Sequence, residues 1–167
     1  EEQQKIADCL SSLDDLITAE SQELDALKTY KKGLMQQLFP QEGETVPRLR
    51  FPDFQNAGEW KTTQMGSLLS QNPEYGVNAP AVPYSENLPT YLRITDIDDD
   101  GYYRNEAKVS VDIIATDDNY LAPGDIVLAR TGASVGKSYR YREKDGKLIF
   151  AGFLIRIRPR QKSINSV

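Results

Sequence analysis

The sequence predicts an α+β protein in which one long N-terminal helix precedes a mixed or antiparallel β domain. Three observations support this fold class: a heptad repeat of apolar residues over 3–39, a segment rich in proline and glycine over 40–58, and short alternating apolar segments from Trp60 onward. The predicted divisions are a coiled-coil helix over 1–39, a linker over 40–59 and a β domain over 60–167.

The heptad repeat defines a seam along the predicted helix. Its apolar members, spaced alternately by four and three residues, are Ile6, Leu10, Leu13, Ile17, Leu24, Leu27, Leu34 and Leu38. Glu20 and Lys31 complete the series, and Pro40 ends the helix. A seam sustained over almost five heptads is typical of a coiled coil, so these eight apolar residues are predicted to form its interface.

A helix of this length needs a partner to cover its seam. At about 1.5 Å per residue it extends roughly 55 Å, and the sequence predicts no second helix of that length. We expect the partner to be another chain or a missing part of this one; the alternative is that the helix lies on its own β domain. Glu20 and Lys31 could pair with opposite charges on an antiparallel partner, or mark a solvent-facing break in the seam.

The linker is predicted to be an ordered strap rather than a free tether. Pro40, Pro47 and Pro52 keep it out of regular secondary structure. Leu49 and Phe51 are too apolar for a segment that extends freely into water, so we expect the linker to pack down.

The β domain is predicted from segments rich in β-branched and aromatic residues. These segments are 91–97, 108–114, 125–130, 138–142 and 148–159, and turn-forming Gly, Pro and Asp residues separate them. The stretch YREKDGKLIF predicts a hairpin with its turn at Lys144–Gly146.

The composition limits the chemistry that the chain can carry. Histidine is absent, which excludes triads, metal sites and general bases built on that residue. The single cysteine, Cys9, cannot form an internal disulfide or a thiolate zinc site, and it fits a reducing cytoplasm. No run approaches the ~20 apolar residues of a membrane span, so we expect no membrane partner. The lack of histidine favours a non-catalytic protein, and the single cysteine fits a cytoplasmic one.

The charge of the chain is unevenly distributed. The net charge is −5, yet residues 130–162 carry ten basic and two acidic side chains. Because fields act over roughly 10 Å at moderate salt, a basic face can serve DNA on an acidic protein. The alternative is chance clustering on a solvated surface.

The loop TGASVGKS, residues 131–138, comes close to a phosphate-binding loop of an ATPase. Its spacing is one residue short, Thr131 stands where glycine is required, and the segment that follows is predicted to be a strand instead of a helix. ATP binding is therefore rejected. A glycine-rich loop with hydroxyls and cations suits contact with phosphodiesters; the alternative is that glycine serves only the φ angles of a hairpin loop.

Two further motifs match only in part. The stretch DIDDDG places Asp96, Asp98 and Asp100 as in a calcium loop, but the position of the bidentate glutamate is Ala107. The stretch NPEY resembles the Asn-Pro-Pro-aromatic motif of adenine methyltransferases, but Glu74 replaces the second proline. We predict an acidic turn for the first and no methyl transfer by this chain.

Several segments together resemble the specificity subunits of type I restriction-modification enzymes. The helix opens with EQQKIA (2–7) and closes with KKGLMQQLF (31–39), as in that family. The stretch PRLRFPDF…GEW (47–60) resembles the segment that leads into a target recognition domain, and YLRITDID and PGDIVLARTGASVGK resemble segments inside one. The resemblance covers nearly the whole chain.

The resemblance implies a non-catalytic subunit of a DNA-modifying and DNA-cleaving assembly. Each target recognition domain of such a subunit reads half of a bipartite site on double-stranded DNA, and two antiparallel helices space the domains. Methylation subunits dock on the helices, and restriction subunits join them. No cofactor is expected in this chain; S-adenosylmethionine, ATP and Mg²⁺ are expected on the partner subunits.

The family's full subunit is more than twice as long as this chain and has two recognition domains. The order of helix and then domain matches the middle of such a subunit. The chain is therefore expected to be a fragment, a natural truncation or a half-subunit that dimerises.

The basic segment supplies the predicted DNA contacts, since arginine pairs with guanine edges and hydroxyls contact phosphates. The candidates are Arg130, Thr131, Ser134, Lys137, Tyr139, Arg140, Arg142 and Lys144. Arg156, Arg158 and Arg160 alternate with apolar residues, which predicts one shared sheet face, either for DNA or simply solvated. The competing function is a coiled-coil interaction adaptor whose β domain binds protein and not DNA.

Overall fold

The fold, taken from a computed structural model that describes residues 1–160, is α+β. A long N-terminal helix is followed by a β region of two sheets, as the sequence predicts. The chain divides into two compact units, Glu1–Thr63 and Gln64 onward. The end of the predicted β domain, residues 161–167, lies outside the described residues.

The first unit contains helix α1, Glu2–Leu38, which is 37 residues long. Six of the eight predicted seam residues are exposed, and Leu34 and Leu38 are half-buried. Within residues 1–160 no second helix packs on the seam, and α1 has no buried residue. The coiled coil therefore stays a prediction. None of the described helices is both long and apolar enough to cross a membrane.

The linker is an ordered strap that folds back on the end of α1. The Leu49 amide donates to the Gln37 carbonyl, and the Trp60 amide donates to the Thr45 carbonyl. The Trp60 ring packs edge-on against Phe39 with centroids 5.8 Å apart. Trp60, placed by the sequence at the start of the β domain, therefore belongs to the first unit.

Over residues 64–160, the second unit contains one short α-helix, several 3-10 turns and eight short strands. The α-helix and the strands are α2 (Met65–Leu68), β1 (Glu74–Tyr75), β2 (Ala81–Pro83), β3 (Thr90–Leu92), β4 (Val109–Val111), β5 (Ile126–Ala129), β6 (Ser138–Arg140), β7 (Leu148–Phe150) and β8 (Leu154–Ile157). One sheet has the order β1-β8-β5-β6 and is antiparallel throughout. The other has the order β2-β4-β3-β7, with β3 and β7 parallel.

The main core lies between the two sheets. It joins side chains of both, among them Leu92 and Leu148 from the mixed sheet with Val127, Tyr139 and Leu154 from the antiparallel sheet. A smaller cluster around Tyr91 and Ile149 covers the other face of the mixed sheet.

Two of the strand predictions are wrong in detail. The predicted strand 148–159 is two strands, β7 and β8, separated by a turn at 152–153. The predicted hairpin around Lys144–Gly146 does not form, because β6 pairs with β5 while β7 pairs with β3 in the other sheet. The turn itself exists, with Gly146 at a φ of 78°.

Candidate nucleic-acid interface

The loop TGASVGKS joins β5 to β6 as a hairpin. The Gly136 amide donates to the Ala129 carbonyl, and the Ala129 amide donates to the Lys137 carbonyl. Gly132 and Gly136 have φ angles of 74° and 87°, where side-chain-bearing residues are strained. The loop contains one 3-10 turn, Gly132–Ser134, and the chain then continues into strand β6 instead of an α-helix, as the sequence predicts. The glycines therefore shape a hairpin turn.

The hairpin presents one exposed face of the antiparallel sheet. In β6, Tyr139 points into the core whereas Ser138 and Arg140 point outward. Ser138 lies opposite Leu128 of β5, so Leu128 shares this outer face. Arg130 follows β5 in the same alternation and is also exposed. The outer face thus carries Arg130 and Arg140 at its two ends.

Tyr75 lies beside Arg130, a contact that the sequence alone does not predict. The Arg130 guanidinium stacks on the Tyr75 ring, with 4.6 Å between the guanidinium carbon and the ring centroid. Tyr75 lies in β1, and the register that places it opposite Ile155 of β8 brings it to the outer face. No local signal links positions 75 and 130, since the link depends on strand pairing.

An acidic turn neutralises one cation of the hairpin. The Lys137 ammonium pairs with the Asp99 carboxylate at 3.0 Å. A hydrogen bond from Lys137 lowers the pKa of Asp99 below its ordinary value, so this carboxylate is ionised at neutral pH. The turn approaches β6 closely because Gly101 has no side chain. A Cβ at this position would lie 2.9 Å from the Ser138 carbonyl oxygen.

Arg142 is likewise engaged by neighbouring groups. Its guanidinium donates to the Asp145 carboxylate at 3.1 Å and stacks on the Tyr102 ring at 4.5 Å. It is half-buried as a result. A DNA contact by Arg142 or Lys137 requires that an existing ion pair be replaced.

The prediction of a DNA contact by the Tyr139 hydroxyl is corrected. Tyr139 is 1% exposed in the main core, and its hydroxyl donates to Asp145 at 2.8 Å. Burial, together with this bond to Asp145, raises the pKa of the Tyr139 hydroxyl. Tyr139 therefore anchors strand β6 to the main core.

The prediction that the arginines around β8 form a face open to DNA or solvent is also wrong, because Arg156 and Arg158 both pair with the buried Asp125. Arg156 is 4% exposed, and its guanidinium pairs with Glu74 and donates to the Tyr120 carbonyl. Arg158 forms two hydrogen bonds with the fully buried Asp125, at 2.7 and 2.9 Å. Buried charges must be paired, and here the arginines serve strand packing.

Arg160 is exposed, unlike Arg156, and donates to the Leu69 carbonyl at 2.9 Å. Its amide also donates to the Leu68 carbonyl, which holds the segment after β8 against the end of α2. It therefore anchors backbone instead of extending an arginine face.

The remaining predicted contacts are available at the surface. Arg130, Thr131, Arg140 and Lys144 are exposed and form no ion pair with any described residue, and Ser134 is half-buried beside Lys137. The structure thus brings Arg130, Thr131 and Arg140 to one sheet, with Tyr75 added, whereas Lys144 lies on the separate turn at 143–145.

The two partial motifs have structural roles. The Asp96 carboxylate is buried and pairs with Arg93 at 2.6 Å, while Asp98 accepts hydrogen bonds from the amides of Asp100 and Tyr102. In NPEY, Glu74 is the partner of Arg156. Among residues 1–160, no group of three or more potential metal ligands comes together.

A comparison with models of protein families gives no match for this chain, and a search of curated proteins also gives none.

Proposed function

We propose that this chain is a DNA-specificity subunit, or part of one, of a type I restriction-modification enzyme. The β domain reads half of a bipartite DNA target through its antiparallel sheet. Helix α1 pairs with a second long helix, fixes the spacing of the domains and docks the methylation subunits. Chemistry belongs to those partners, which hold S-adenosylmethionine, and to restriction subunits that use ATP and Mg²⁺.

The observation that carries the proposal is a long helix with an exposed heptad seam, followed by an ordered strap and a β unit with a basic hairpin. The seam requires a protein partner, and the segments at both ends of the helix resemble the family's. The outer face supplies two arginines for base edges or phosphates, with a hydroxyl from Thr131 between strand and loop.

A second candidate function is a coiled-coil adaptor without DNA binding. The observation in its favour is that Lys137 and Arg142 already have acidic partners. In that case the exposed seam would still bind a helix, but the β domain would have no affinity for duplex DNA.

Salt-dependent DNA binding separates the two functions. We expect the chain to bind a labelled duplex of randomised sequence, with an affinity that falls steeply between roughly 50 and 200 mM salt as counterions are released. Arg130→Ala and Arg140→Ala should each reduce the slope of log affinity against log salt by about 1. Lys108→Ala, an exposed cation beside β4 in the other sheet, is the matched control and should leave the slope unchanged.

An affinity that is absent, or that does not depend on salt, would support the adaptor and contradict DNA recognition. Equal effects of all three alanine variants would contradict the assignment of the interface to the hairpin face.

A further inference from the structure

An apolar pocket lies at the C-terminal end of the α1 seam, within the first unit. It has a volume of about 460 Å³, and its lining includes Leu38, Phe39, Phe51, Phe54 and Trp60. Phe51 is 63% exposed and Phe54 is 59% exposed. A patch of exposed aromatic side chains usually marks an interaction site. Leu38 is both the last residue of the seam and part of the pocket lining, so the two surfaces are continuous.

Hydrogen bonds from an arginine side chain fix the backbone that surrounds the pocket. The Arg50 guanidinium donates to the carbonyls of Phe54, Ala57 and Gly58, which ties the strap into a loop around it. The short helical turn at Pro52–Phe54 then presents the aromatic rings. A surface ordered in this way is suited to receive aliphatic side chains.

The heptad assignment identifies which aliphatic side chains reach the pocket. Glu20 falls at a d position and Lys31 at an a position, and antiparallel helices pack a against d. When two copies pair antiparallel with Leu24 opposite the partner copy's Leu27, Glu20 lies opposite Lys31 twice, once on each side of the two-fold axis. The remaining layers are Leu13 with Leu38 and Ile17 with Leu34, all apolar.

Other arrangements of the two helices either set like charges against each other or do not place Glu20 opposite Lys31. A parallel, in-register pair sets Glu20 against Glu20 and Lys31 against Lys31. A shift of the antiparallel register by one heptad sets both charged residues against leucines, so the pairing of Glu20 with Lys31 across the seam is lost. Charge complementarity therefore favours one register.

In this register the N-terminal part of each helix extends past the end of the other. Leu10 lies about 4.5 Å and Ile6 about 10 Å beyond the layer formed by Leu13 and Leu38, at 1.5 Å per residue. Both are exposed seam residues without a helical partner in that register. The pocket lined by Leu38 lies at the same end.

We propose that the aromatic pocket of the strap binds Leu10 and Ile6 from the first turns of a second, antiparallel copy of this chain. The inference rests on the pairing of α1 with a second long helix in the proposed function, and it names the occupant, the register and the pocket that ends the seam.

Charge exchange tests the register by sedimentation velocity on the full chain. Glu20→Lys and Lys31→Glu should each weaken the dimer by about tenfold or more, because each creates two like-charge contacts. The variant with both substitutions should dimerise as the unchanged chain does, and the two single variants should form a heterodimer when mixed. Single variants that dimerise normally would contradict this register.

The emission of Trp60 tests the pocket, because it is the chain's single tryptophan and lines the pocket. Its emission should shift to shorter wavelength as the chain associates. Leu10→Ala should reduce that shift and weaken the dimer by about tenfold, since two buried leucines are truncated per dimer. Ile114→Ala, a 99% exposed aliphatic residue outside the helix, is the matched control and should change neither.

A chain that stays monomeric at every concentration, or a dimer in which Trp60 emission does not shift, would overturn the inference. These outcomes are independent of the DNA assay. A dimer with the expected shift but no salt-sensitive DNA affinity would contradict only DNA recognition, and DNA affinity without the shift would contradict only the pocket.

Discussion

Lys137 and Asp99 illustrate how single residues set the charge of the candidate interface. The sequence places Lys137 in a basic segment, but the fold brings the exposed Asp99 carboxylate to 3.0 Å from its ammonium. That carboxylate stands where a DNA phosphate would be bound by the same lysine. The acidic turn therefore competes with DNA for one cation of the hairpin.

Removing the charge of Asp99 should strengthen DNA binding. In Asp99→Asn, Lys137 gains freedom to contact a phosphate and a repulsive carboxylate is lost, so affinity should rise and the salt slope should steepen by about 1. Fluorescence anisotropy with a labelled duplex measures both. Glu106→Gln, an exposed residue with the same change of charge, is the control; an equal gain there would indicate a general charge effect.

Tyr103 and Tyr139 are neighbouring tyrosines with different hydroxyl environments. Their ring centroids are 6.4 Å apart, but the Tyr139 hydroxyl donates to Asp145 whereas the buried Tyr103 hydroxyl has no hydrogen-bond partner among the described residues. Burial, with the nearby Asp96 and Asp145 carboxylates, raises the pKa of Tyr103 to about 12.

The two hydroxyls should therefore differ in their effect on stability. Tyr139→Phe should lower the free energy of unfolding by about 1 kcal/mol because a buried hydrogen bond is lost. Tyr103→Phe should leave it unchanged or raise it, because an unpartnered polar atom leaves the core. Urea denaturation of both variants checks this; equal losses would contradict the difference in hydrogen bonding.

At the scale of elements, strand β8 depends on a buried network of ion pairs. Arg156 contacts Glu74 of β1, and Arg158 contacts Asp125, which precedes β5. Asp125 also accepts a hydrogen bond from the Ala122 amide, so one carboxylate fixes the turn before β5 and the end of β8. These charges hold three strands of one sheet together.

Truncation of Arg156 should destabilise the β unit strongly. The buried Arg156 guanidinium pairs with Glu74 and also lies 3.7 Å from the Asp125 carboxylate. Arg156→Ala removes both pairs, and the loss of one partner of a buried ion pair typically costs about 3–5 kcal/mol. Arg140→Ala, on the exposed face of β6, should change stability by less than about 0.5 kcal/mol. Thermal or urea unfolding distinguishes them, and similar effects of both substitutions would contradict the assignment of Arg156 to the core.

The sequence predicts correctly the elements that depend on neighbouring residues along the chain. Helix α1, β5, β6 and the strap follow from periodicity, alternation and proline positions, and the structure confirms them. The hairpin at Lys144–Gly146 was wrong because the pairing of β7 with β3 depends on residues some 58 positions away. The two-residue strand β1 is too short for any alternation to identify it.

The candidate site was predictable only in part for the same reason. The positions of Arg130, Thr131 and Arg140 follow from a hairpin that the sequence indicates. The contribution of Tyr75, the pairing of Lys137 with Asp99 and the burial of Arg156 each depend on contacts between distant segments. A count of basic residues cannot separate cations that face solvent from cations that neutralise buried acids.

For the whole molecule, the proposed function assigns assembly and recognition to different units. The first unit carries an exposed seam and an aromatic pocket, which are surfaces for protein. The second unit carries the exposed arginines of the hairpin face, which are suited to nucleic acid. A net charge of −5 does not oppose this, because screening limits the acidic regions to a range of roughly 10 Å.

Selection of binding sites from a pool of randomised duplexes tests DNA-sequence recognition most directly. We predict that the chain enriches one short motif, that Arg140→Ala relaxes that motif at one position, and that Lys144→Ala, on the separate turn at 143–145, leaves the motif unchanged. Failure to enrich any sequence, with intact folding confirmed by circular dichroism, would contradict the account.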